Sequence, residues 1–145
     1  MFDQIKTTRV LAFCVFSVAV SIALDAFGAH GLKAILSEQK LDVFHKANRY
    51  LMLQNMGAVL ILLLKSTNKF NIKNQALVFL LLGTWIFSLS LYAVSFSELN
   101  GLAHLRYAGA IAPIGGTLMI LAWVLLAINI LKSSSNENTD PAQTR

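Results

Sequence analysis

Apolar residues fill four long runs of this chain, residues 10–24, 51–64, 76–96 and 107–131, and the short stretches between them hold nearly all of the charge. A helix needs about 20 mainly apolar residues to cross a hydrocarbon core about 30 Å thick. The pattern therefore predicts an all-α integral membrane four-helix bundle, with helices at about 8–26, 40–65, 75–96 and 107–131 in one transmembrane domain spanning 1–132. The remaining residues, 133–145, are rich in Ser, Asn, Asp and Thr and lack any aromatic or branched aliphatic side chain. Such a segment buries too little surface to offset its ordering entropy and is expected to be a disordered polar tail.

The stretch between the first two runs has its own pattern. Leu32, Ile35, Leu36, Leu41 and Phe44 recur at helical spacing, with Lys33, Glu38, Lys40 and Asp42 on other faces, which predicts a short amphipathic segment after helix 1. Ser37 is placed to cap the helix that follows, with Glu38 and Asp42 at the positive end of its dipole. The polar stretches 65–75 and 97–106 read as plain connecting loops. Basic residues followed by an apolar stretch and small residues also fit a signal peptide, but three further spans and the patterned segment beyond favour retention as helix 1.

Composition agrees with a membrane protein. The chain is 13% charged and 56% hydrophobic, against about a quarter charged in soluble domains. Its net charge of +5 is spread over the ends of the spans, where basic residues meet lipid headgroups. That distribution excludes a nucleic-acid partner and leaves the lipid bilayer as the expected environment. Seven Lys and Arg lie on the side of the two termini and five on the other, a balance that favours cytoplasmic termini. Cys14 is the only cysteine, so neither an internal disulfide nor a thiolate metal cluster is available.

Within the spans the candidate chemistry is sparse. Helix 4 places Ala108, Ala112 and Gly116 at i, i+4 and i+8, with Gly115 adjoining, a small-residue face suited to a helix contact within the subunit. Pro113 either kinks that helix or marks its first turn. Helix 3 carries a stripe of Thr84, Ser88, Tyr92 and Ser95 that should face protein, with hydroxyls bonded to their own carbonyls or to a neighbour. Helix 2 holds the costlier groups. His45, Asn48, Met52 and Asn55 follow a three, four, three spacing beside Arg49, Tyr50 and Gln54, and Gln54 and Asn55 are expected to bond helix 3 hydroxyls or each other. Arg49 can snorkel to the interface. The most distinctive local pattern is Asp25-Ala-Phe-Gly28-Ala-His30-Gly31, which predicts an interfacial Gly-His-Gly turn with His30 bonded to a helix end or to Asp25. A relay or metal site of Asp25, His30 and His45 is the sharper alternative, but no third strong ligand stands at metal-binding spacing.

Four ordered segments then carry a resemblance: Ala26-Phe-Gly-Ala-His-Gly-Leu-Lys33, Ala47-Asn-Arg-Tyr50, Phe87-Ser-Leu-Ser-Leu-Tyr92, and Pro113-Ile-Gly-Gly116 with Trp123. The chain resembles the small uncharacterised membrane-protein family often called YgdD-like, which also takes in the animal transmembrane protein 256 group. The resemblance implies four helices, the plasma membrane for bacterial members, and no established biochemical activity or catalytic residue. Members tend to show Gly where Asp25 stands and His where Gln54 stands, and Gln cannot titrate near neutral pH. No cofactor or metal is called for. The reading is a non-enzymatic structural or accessory protein of the inner membrane, in a homo-oligomer or with a membrane partner protein. The alternative is a small transporter or proton-linked carrier with a polar path between helices 2 and 3.

Overall fold

A computed structural model describes the backbone of residues 2–137 and the side chains of residues 7–133. It is all-helical. Four α-helices, α1 (Phe2–His30), α2 (Glu38–Ser66), α3 (Asn74–Ser95) and α4 (Ala112–Glu137), make up most of the chain, and four helical stretches are long and apolar enough to cross a membrane. Consecutive helices are the main packing neighbours, α1 on α2, α2 on α3 and α3 on α4. The most apolar window of α2 is 44% buried against 17% for α1, so α2 is a central helix and α1 a flanking one. The start of α1, the last turns of α4 and the α2–α3 connection lie at one end, called here the terminal end, where the Asn71 N–H donates to Ser133 Oγ at 2.8 Å.

The main core runs through the bundle from Cys14 on α1 through Ala58 and Ile61 on α2 and Leu80 on α3 to Met119 and Ala122 on α4. Large apolar side chains such as Phe16 and Ile120 point outward, which suits a lipid solvent as apolar as they are. Close backbone approach must then supply the packing. At α3–α4 it comes from glycines: a Cβ on Gly115 would stand 2.5 Å from the Phe87 nitrogen and 2.7 Å from the Gly83 carbonyl oxygen. Ala112, Gly115, Met119, Ala122 and Leu126 are buried at alternating spacings of three and four, the face turned inward. The small-residue face read from the sequence is therefore corrected. Ala108 lies in a 3-10 segment, Ala103–Ala110, that precedes α4, so the helical phase restarts at Ala112. Pro113 sits in the first turn of α4, where a missing N–H leaves no intrahelical bond unmade.

The connection after α1 also differs from expectation. Helix α1 continues through Gly28 to His30, and Gly31 has an ordinary helical φ of −76°, so Gly28–Gly31 is not a turn built on glycine's left-handed freedom. Gly28 serves close packing instead: a Cβ there would come within 2.9 Å of the Phe44 ring. A 3-10 turn, Leu32–Ala34, follows. Leu32, Leu36 and Phe44 then form a second apolar cluster with Leu24, Leu41, Tyr92, Phe96 and Leu99 across this end of the bundle.

The third connection is also more ordered than a plain loop, with 3-10 segments at Phe96–Glu98 and Ala103–Ala110. Part of it clasps the start of α2. The Glu98 carboxylate accepts from both the N–H and, at 2.8 Å, the hydroxyl of Ser37, while Ser37 Oγ caps the helix by accepting from the Lys40 N–H at 3.3 Å. Lys40 Nζ returns across the gap to the Val94 carbonyl at 3.1 Å and to Ser97 Oγ at 2.9 Å. At the other end of the chain α4 runs to Glu137. The rest of the segment expected to be a disordered tail, residues 138–145, lies outside the described residues.

Candidate functional site

The polar groups of three helices meet opposite the terminal end. Asp25 stands in the last turns of α1, His45 and Asn48 in the first turns of α2, and Tyr92 near the end of α3. Their helical phase brings them together because α1 and α3 both pack on α2. His45 Nδ1 lies 2.8 Å from Asp25 Oδ1, a contact that is a full ion pair only when the imidazole is protonated. Asn48 is the hub. Its Nδ2 donates to the Ser21 carbonyl at 2.8 Å and to Asp25 Oδ1 at 3.1 Å, and its Oδ1 accepts from the Tyr92 hydroxyl at 3.0 Å. Asn48 is 3% exposed, so an unpartnered amide at this site would carry the full cost of desolvation. Asp25, by contrast, has a side chain 61% exposed, and the cluster runs from a wet rim to a dry centre.

Aromatic rings border the cluster. Phe44 lies against Tyr92 with centroids 5.0 Å apart and against Phe96 at 6.0 Å. Tyr50 turns away from the cluster and packs on Phe87 at 4.7 Å.

The other sequence candidates divide among separate contacts. His30 is exposed, and His45 holds the place beside Asp25 that was expected of His30. The reason is helical phase: α1 carries His30 more than a turn beyond Asp25. Gln54 and Asn55 bond neither helix 3 hydroxyls nor each other, because adjacent residues on a helix point about 100° apart. Gln54 Oε1 accepts from the Trp123 indole N–H of α4 at 2.9 Å, and that ring lies over Gly57. Asn55 is fully buried and donates to its own helix at the Leu51 carbonyl, 2.7 Å away. The helix 3 stripe does face protein: Thr84, Ser88 and Ser95 are at most 1% exposed. Thr84 and Ser95 bond carbonyls of their own helix at 2.6 and 2.7 Å. Among the described residues Asn55 Oδ1, Trp85 Nε1 and Ser88 Oγ are buried with no partner. Gly116 stands beside Gly115, with Phe87 at 3.9 Å from the place of its Cβ.

Asn48 is the residue whose role sequence reasoning missed. Its place in the His45, Asn48, Met52, Asn55 spacing was visible, but its partners are 27, 23 and 44 positions away. Chemically the cluster offers one carboxylate, one imidazole, one amide and one phenol. Asp25 and His45 are two potential metal ligands, and among the described residues no third His, Cys, Asp or Glu joins them. The arrangement orders helices and holds one carboxylate–imidazole contact at the rim.

Comparison with known proteins places this architecture. Residues 24–116 match a family described as "Protein of unknown function (DUF423)", a stretch that contains all four side chains of the cluster. The chain is 39% identical to a UPF0382 membrane protein of Staphylococcus haemolyticus over 78% of its own length and 87% of the relative's. It is 38% identical to a counterpart in Staphylococcus epidermidis with the same coverage, and 37% to one in Staphylococcus saprophyticus over 78% and 88%. No solved structure matches. With four helices fit to span a bilayer and a family match across most of them, the chain belongs to the DUF423 family, whose relatives are named UPF0382 membrane proteins.

Proposed function

We propose that this is a non-enzymatic structural or accessory protein of the inner membrane, of the YgdD-like type, with both termini cytoplasmic. It acts through a membrane partner protein or a homo-oligomer. The observation that carries the reading is the internal bonding of the polar cluster: Asp25 Oδ1, His45 Nδ1, both ends of the Asn48 amide and the Tyr92 hydroxyl bond to one another and to the Ser21 carbonyl, at 2.8 to 3.1 Å. Groups set out for chemistry keep donors or acceptors turned to a cavity where a reacting atom can sit. A cavity of about 820 Å3, lined in part by Val10, Leu62 and Leu77, opens instead at the terminal end.

The carrier alternative needs a polar path between α2 and α3. Asn55, Trp85 and Ser88 would be its midpoint, but none is ionisable at neutral pH, whereas proton-coupled carriers use carboxylates or histidines within the span. Flux assays separate the two readings. Liposomes containing the full-length protein are expected to carry protons, metal ions and small solutes no faster than empty liposomes. Flux above that background, lost in Asn55→Leu while the protein stays folded, would overturn the accessory reading.

A further inference from the structure

At the terminal end α1, α2 and α3 leave between them a cavity of about 820 Å3, a volume typical of sites for small organic ligands. One wall is apolar, formed by Val10 of α1, Leu62 of α2 and Leu77 and Val78 of α3. Deeper in the bundle the Phe13 and Trp85 rings meet with centroids 5.6 Å apart and bridge α1 to α3. On each helix the apolar lining stands about one turn further from the terminal end than the polar lining: Val10 beyond Thr7, Leu62 before Lys65, and Leu77 and Val78 beyond Asn74.

The polar side of the same cavity carries one cation, Lys65, among neutral hydroxyl and amide groups. Lys65, in the last turn of α2, lines it and donates to the Asn74 side-chain oxygen. That partner is neutral, and among the described residues no carboxylate lies within ion-pair reach of Lys65. Residues 65–74 contain Lys65, Lys69 and Lys73 and no acidic residue. Asn74 also lines the cavity and begins α3, whose first turn has no side-chain cap, so the positive end of that helix dipole adds to the same sign. An anion-seeking mouth above an apolar wall has the polarity of one phospholipid: phosphate outermost, acyl chain inward.

We propose that this cavity binds one anionic phospholipid, with its phosphate on Lys65 and its acyl chain along Val10, Leu62, Leu77 and Val78. The site is separate from the cluster of Asp25 and His45, and it does not depend on which side of the membrane the termini occupy. Because a zwitterionic headgroup brings its own cation against the lysines, phosphatidylglycerol should be held in preference to phosphatidylcholine.

The test is native mass spectrometry of the full-length protein, loaded with equal phosphatidylglycerol and phosphatidylcholine in mild detergent. Wild type is expected to retain one phosphatidylglycerol per chain. Lys65→Gln should lower that retention about fivefold, the effect of one basic residue near an anionic lipid. Val78→Trp, at a cavity-lining position that is 47% exposed and so tolerant of size, should fill the mouth and abolish retention while the helices stay folded. Lys33→Gln, in the 3-10 turn beyond the far end of α1, should leave it unchanged. Equal retention of the two lipids, wild-type retention by both cavity variants, or an equal loss in Lys33→Gln would overturn the proposal. So would complete displacement of the lipid by inorganic phosphate, which would mark a free-anion site with no role for the apolar wall.

Discussion

A single amide side chain can join three helices only if both of its ends are used, and Asn48 uses both. Nδ2 reaches α1 at two acceptors and Oδ1 reaches α3 at one donor. Hydrogen bonds between membrane helices average about 0.6 kcal/mol each in measured cases, so Asn48→Ala should cost about 2 kcal/mol while Tyr92→Phe, which removes one bond and keeps the ring against Phe44, should cost about 0.6 kcal/mol. Unfolding of the two variants in mixed micelles checks that order, and an equal cost would show that the phenol, not the amide, organises the junction. The site was half legible in the sequence at this scale. Asp25, His45 and Tyr92 stand out as polar residues within or beside apolar runs, and all three converge. His30 and Tyr50 stand out just as clearly and do not, because membership depends on helical phase and on partners 20 or more residues away, neither of which local spacing records.

Elements are held by devices of a different kind. The start of α2 has an ordinary serine cap, but the cap is itself gripped by Glu98 from the α3–α4 connection. The first turn of α2 and the third connection should thus behave as one unit. Replacing Glu98 by Ala is expected to speed amide exchange at Glu38–Lys40 and at Ser97–Leu99 together while leaving the centre of α2 unchanged. Acceleration confined to the connection would show that the Ser37 side chain alone holds the cap. The existence and order of the four helices could be read from apolar runs because each run is long and bounded by charge. Their ends could not. Gly28 reads locally as a break but lies within α1, packed close to the Phe44 ring, and residues 103–110 read as loop and helix start but form a 3-10 segment ahead of Pro113.

Across the whole molecule, the charge count can be tested independently of any side-chain contact. Seven basic residues on the terminal side and five on the other predict that a fluorescent reporter fused to the C-terminus is bright in the cytoplasm, while an alkaline phosphatase fused there is inactive. A phosphatase inserted in the α3–α4 connection should be active. The opposite pattern would invert the orientation without altering the bundle. Length and hydropathy made the fold class legible, since a chain this apolar has few other ways to satisfy its backbone. The close glycine contact of α3 with α4 was legible only as a tendency, because Gly115 and Gly116 are neighbours in sequence and only the phase of α4 decides which one meets Gly83.

The hydroxyls of α1 bear on how the chain is assembled. Ser17 donates to the Phe13 carbonyl and Ser21 to the Ser17 carbonyl, each at 2.8 Å, so α1, synthesised before α2, needs no neighbour to satisfy these groups in lipid. Asn48 lies on the second helix and donates a bond to the Ser21 carbonyl already in place. The order of synthesis therefore matches the order of need: a self-sufficient helix enters first and offers the acceptor on which the next, more polar one can settle.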